Sequence, residues 1–91
     1  MRDIITTVEI WEEGDMFTSY CPELDMASCG RTADEAKKNL QEVITIQLEE
    51  TVKLGTLDDL LREAGYTTEN NLVRTNKKIV CFEEIRFPIP V

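Results

Sequence analysis

Residues 4–11, Ile-Ile-Thr-Thr-Val-Glu-Ile-Trp, alternate so as to predict a strand with Ile4, Thr6, Val8 and Ile10 on one face. Glu12-Glu13-Gly14-Asp15 is a turn, because Gly supplies positive φ and Asp bonds to nearby backbone. Residues 16–21 return as a second strand, and Pro22, which cannot donate to a ladder, ends it. A short third strand follows at 26–29, and Gly30 frees the chain to turn into a helix. Thr32-Ala33-Asp34-Glu35 is a capping box, so that helix begins near Ala33. Ala36, Leu40, Val43, Ile44, Leu48, Thr51 and Val52 share one face of it as far as Leu54. Asp34, Lys37, Lys38, Gln41, Glu42 and Glu49 form the opposite face. Ile46 lies off the stripe, as a stray surface residue or a contact with another chain. Gly55 is the expected left-handed cap.

Thr56-Leu57-Asp58-Asp59 starts a second, short helix ending at Gly65, with Leu57, Leu60 and Leu61 as its apolar side. Residues 67–76 read as a polar, mobile connection. Strand character returns from Lys77 to Phe87, with Ile79, Cys81, Ile85 and Phe87 alternating with Val80, Phe82, Glu84 and Arg86. Both faces of that strand are partly apolar, so it should be covered on both sides, within its own sheet or by a partner. Pro88 and Pro90 end it. The pattern predicts a single α+β domain of order βββαβ over residues 1–91, with an extra short helix after the long one.

Residues 20–40 concentrate the most specific signal. Tyr20, Pro22, Glu23, Leu24, Ala27, Cys29, Gly30, Thr32, Glu35, Ala36, Asn39 and Leu40 fall in the order strand end, Pro-Glu-Leu loop, strand, Gly-x-Thr and helix. This run resembles the HicB-like antitoxin family. The resemblance implies a two-layer domain like a partial ribonuclease H-like fold, its last strand beside the first. It implies an antitoxin of a type II toxin-antitoxin pair, neutralising a HicA-like mRNA-cleaving toxin by direct protein–protein binding. Members commonly append a small operator-binding domain. After residue 54 this chain has too little room for one, which puts DNA binding in doubt.

The chain has 91 residues and a net charge of −8. A chain this short buries only roughly 60–70% of its unfolded surface, so self-association, as a homodimer or larger, is an expected route to stability. Residues 1–50 carry 4 basic and 12 acidic side chains, whereas residues 51–91 carry 6 of each. That sign suits a basic protein partner or plain solubility, and repels phosphate backbones. The short basic cluster Arg74, Lys77 and Lys78 has no interleaved aromatics for stacking on bases.

Cys21, Cys29 and Cys81 are odd in number and lack CxxC spacing. Together with the absence of signal-peptide and membrane-length apolar runs, they point to a reducing cytoplasm and to half-buried structural thiols. The chain contains no His, which excludes His-based acid–base or nucleophilic relays and mixed-ligand zinc sites. A carboxylate-bound Mg²⁺ nuclease would need acidic residues at neighbouring strand centres. Glu9, Glu12, Asp25 and Glu84 fall at strand ends or on solvent-facing positions. No enzymatic activity, cofactor or metal is therefore expected.

The Pro-Glu-Leu loop supports two readings. In one, Pro22 fixes a turn, Leu24 plugs the core and Glu23 and Asp25 are solvated. In the other, it is a rigid acidic surface set against a basic partner. Under the second reading the partner-binding residues are Trp11, Tyr20, Pro22, Glu23, Asp25 and Phe82, with Trp11 exposed by its parity. The competing function is a stand-alone oligomeric interaction or scaffold module without a toxin partner.

Overall fold

The computed structural model describes residues 3–69, 72–75 and 79–90. Its elements are β1 (Asp3–Ile4), β2 (Glu9–Glu13), β3 (Met16–Cys21), β4 (Met26–Gly30), α1 (Ala33–Leu54), α2 (Leu57–Glu63), β5 (Tyr66–Glu69) and β6 (Leu72–Thr75). The fold is α+β, with a three-stranded antiparallel sheet, a long helix and a short helix. Strands β2, β3 and β4 form an up-and-down meander with β3 central. Its first hairpin closes at Gly14, whose φ of 62° takes a turn position that favours Gly. A second small sheet has the order β1-β6-β5, with β1 parallel to β6 and β5 antiparallel to it.

Helix α1 starts and stops for local reasons. Thr32 Oγ1 accepts the Glu35 amide at 3.0 Å, and the Glu35 carboxylate accepts from the Arg31 amide at 3.3 Å. The box therefore closes one residue ahead of the cap itself. Gly55, at φ 71°, ends the helix. Its amide donates to the Val52 carbonyl and the Thr56 amide to that of Thr51, a Schellman pairing that satisfies the last carbonyls.

The core gathers Cys21, Leu24, Leu40, Ile44, Leu61, Tyr66 and Val73, flanked by Ile4, Val8, Met26, Leu48, Leu57 and Ala64. It lies where α1, the end of the meander, α2 and the small sheet meet. Ala36, Leu40, Ile44 and Thr51 bury the expected stripe, but Val43 and Val52 are exposed. A three-stranded sheet covers only a narrow band of helix, so residues beside the buried stripe stay exposed.

Four further expectations are corrected. Residues 4–11 do not make one strand, because the chain leaves β1 after Ile4 and enters the other sheet at Glu9. Between them, the Thr7 amide and hydroxyl are captured by the Glu23 carboxylate at 2.8–3.1 Å. The strand beside β1 is β6, inside the stretch read as a mobile polar connection. Its hairpin is anchored by two buried residues, Tyr66 and Val73, within mostly polar sequence. Residues 79–90 then carry no regular secondary structure and are exposed throughout, so the expected 77–87 strand is absent over its described part. Finally, the cysteines are not half-buried: Cys21 is buried, while Cys29 and Cys81 are exposed free thiols.

Candidate protein-interaction face

Strand pairing fixes which side chains share a face, since directly opposed residues project the same way. Phe17, Ser19 and Cys21 project toward α1, together with their partners Ile10, Ser28, Gly30 and Met26. The innermost of these are small. Ser19 is 0% exposed and its hydroxyl donates to the Ala36 carbonyl at 2.7 Å. A Cβ built on Gly30 would lie 2.6 Å from the Ala36 amide nitrogen, so only Gly lets the first turn of α1 approach so closely.

The other face has no covering layer among the described residues. Trp11, Thr18 and Cys29 form one row across it, and Glu9, Tyr20 and Ala27 form the next, with Met16 and Glu13 at its end. Trp11 is 56% exposed, as its parity demands. Its indole Nε1–H donates to Glu9 Oε1 at 3.0 Å, which holds the ring on the sheet. Tyr20 donates its hydroxyl to Asp25 Oδ1 at 2.8 Å. That hydrogen bond to a carboxylate, with minor help from desolvation and nearby negative charge, raises the Tyr20 pKa. Asp25 adopts φ 52°, a left-handed conformation that Asp tolerates better than most residues.

The electrostatic sign is uniform. Residues 3–30, which include the whole meander, contain seven Asp or Glu and no Lys or Arg. Glu9 and Glu13 share the face with the solvent-facing indole, Asp25 joins it through Tyr20, and no cation comes from the same stretch.

Of the six residues singled out by sequence, Trp11, Tyr20 and Asp25 come together on or beside this face. Glu23 does not join them. Its carboxylate turns inward to accept from Thr7 and, at 3.8 Å, from the Cys21 thiol. Pro22 is half-buried at the turn and Leu24 is buried in the core, as the structural reading of the loop required. Phe82 lies in the C-terminal segment, off the sheet, and is 71% exposed. Glu9, Met16, Ala27 and Cys29 belong to the face and were not selected from sequence. The two-residue parity set by the Gly14 turn is the signal that finds them.

Behind the loop is a buried polar knot that sequence did not indicate. The Tyr66 hydroxyl is buried and has no hydrogen-bond partner among the described residues. Burial pushes its pKa well up, and the negative charge of Glu23 and of the Cys21 thiolate pushes the same way. The Cys21 thiol is also raised, mainly by desolvation.

Among the described residues no three Cys, Asp or Glu side chains converge on a metal-sized site. No described helix is long and apolar enough to cross a membrane. Compared with known protein families, curated proteins and solved structures, the chain finds no match.

Proposed function

We propose that this chain is a non-catalytic binding module: the antitoxin of a type II pair, which neutralises a small basic HicA-like toxin in a reducing cytoplasm. The observation that carries the reading is the open face of the meander, an anchored, half-exposed Trp11 whose charged neighbours on these strands are carboxylates. Aromatic side chains beside charged rims are typical centres of protein interfaces, and a single-sign field speeds the encounter with an oppositely charged partner. The resemblance of residues 20–40 to HicB-like antitoxins supplies the class of partner. An mRNA-cleaving toxin must present positive charge to its substrate, so an acidic face can bind to and mask it.

Co-expression with the small basic protein encoded by the neighbouring gene tests this. The pair should co-purify and the toxin's growth inhibition should disappear. Trp11→Ala should weaken binding at least ~30-fold, as expected for a central aromatic anchor. Glu9→Lys with Glu13→Lys should mainly slow association and flatten its salt dependence. Neutralisation undiminished in both folded variants would remove this face from the reading. Mg²⁺- or Mn²⁺-dependent RNA cleavage by the purified chain would replace it with an enzyme. The stand-alone oligomeric module remains the second reading, favoured by the exposed apolar C-terminal segment. It predicts self-association with no neighbouring basic protein captured.

A further inference from the structure

We propose that residues 79–90 of one copy lie as an added strand along the free edge of β2 in a second copy, forming a reciprocal dimer. The inference stands on the C-terminal segment and the β2 edge and does not depend on the antitoxin reading. Ile79, Val80, Phe82, Ile85, Phe87 and Ile89 are all exposed, Phe87 by 76% and Ile89 by 89%. The Cα radius of gyration is 16.0 Å, against roughly 12 Å for a compact chain of this length. The segment therefore extends away from the core instead of closing over it. An aromatic side chain buries about 150–250 Å². Six large apolar residues thus supply on the order of the 800 Å² that each partner gives to a standard stable interface.

The alternation is that of a strand. Ile79, Cys81, Ile85, Phe87 and Ile89 share one parity, interrupted by Glu83, while Val80, Phe82, Glu84 and Arg86 fall on the other. Twelve extended residues reach about 40 Å, ample to cross a neighbouring sheet. On the meander, β4 is closed to such a strand by α1, whose Asn39 Nδ2 donates to the Cys29 carbonyl at 2.8 Å. Strand β2 has no neighbour on its outer side among the described residues.

One opposite-charge pair fits this choice of edge. Strand β2 reads Glu-Ile-Trp-Glu-Glu. The docking segment itself carries Glu83, Glu84 and Arg86. An antiparallel register that sets Phe87 beside Trp11 also sets Arg86 beside Glu12. Pro88 and Pro90 lack amide donors, so the new outer edge is poorly suited to take another strand. The assembly accordingly closes at two copies.

Trp11 is the sole tryptophan and stands in the proposed seat, so its emission reports docking directly. Full-length protein should sediment at twice the 10.4 kDa chain mass when concentrated and dissociate on dilution with a red shift. The variant Ile85→Asp, Phe87→Asp should keep the parent circular-dichroism spectrum, remain at 10.4 kDa and emit at the red-shifted position throughout. Mixing it with Trp11→Phe chains, which have an intact C-terminal segment but no Trp, should shift its emission back to the blue. A parent that is monomeric at every concentration overturns the proposal, as does a double-Asp variant that still dimerises. No blue shift on mixing overturns it equally, because docking within one copy cannot be restored in trans.

Discussion

The two faces of the meander sort side chains by size in an unexpected sense. Toward α1 three positions are small, Ser19, Ser28 and Gly30, and are filled by backbone and by Ala36, although Ile10, Phe17 and Met26 also project that way. Toward solvent stand Trp11, Tyr20 and Met16. A monomer optimised only for its own stability would place its large aromatics inward, where each removes about 150–250 Å² from water. Here the inward face trades bulk for close approach, and the outward face holds its area in reserve. One face is explained by folding, and the other, on the function proposed above, by association.

Four substitutions sharpen or break that contrast, taken from the largest expected effect. Leu40→Ala removes a fully buried side chain from the α1 contact and should cost about 2–5 kcal/mol in a denaturant melt. Gly30→Ala should be comparably severe, about 3 kcal/mol, because its Cβ meets helix backbone that cannot rotate aside. A mild effect at Gly30 would mean that α1 is not held tightly against β4. Glu23→Gln should cost about 1–2 kcal/mol, since Thr7 then donates to a neutral and only partly buried acceptor. Trp11→Ala should leave stability within about 0.5 kcal/mol, as for a surface site, while binding collapses. A loss of stability matching that of Leu40→Ala would show that the open face serves folding after all.

The polar knot gives a pH signature. Cys21 and Tyr66 both have pKa values raised by burial, so each is held neutral in the fold and ionises more readily when unfolded. Their contribution is complete below the ordinary thiol range, about pH 8.5. It is lost as pH rises past that and then past about 10, the ordinary phenol value. Tyr66→Phe removes an unpartnered buried hydroxyl. It should be neutral or stabilising by up to about 1 kcal/mol and should flatten the melt dependence above pH 10.

How far the sequence foretold the molecule varies with the range of the interactions. Helix α1 was legible to the residue because Thr32, Glu35 and Gly55 act within a turn of their own positions. The meander and the exposure of Trp11 followed from period-two alternation around one glycine. The second sheet was not legible. Parallel pairing of β1 with β6 joins residues about seventy apart, and β5–β6 is polar except at Tyr66, Leu72 and Val73. The C-terminal segment misled for the converse reason: its alternation is that of a strand, yet no described strand pairs with it. Glu23 could not be read because its fate depends on Thr7, sixteen residues away.

Peptide-resolved thiol alkylation tests the central claim, that the open face exists to be covered by a protein. Cys29 lies in the Trp11 row as an exposed thiol, and its rate in the free protein is the reference. Adding the neighbouring basic protein should slow alkylation of Cys29 at least ~10-fold, and Trp11→Ala should restore the free rate. Cys29 alkylation that is unchanged in a verified complex would contradict the account, because the partner would then be bound elsewhere.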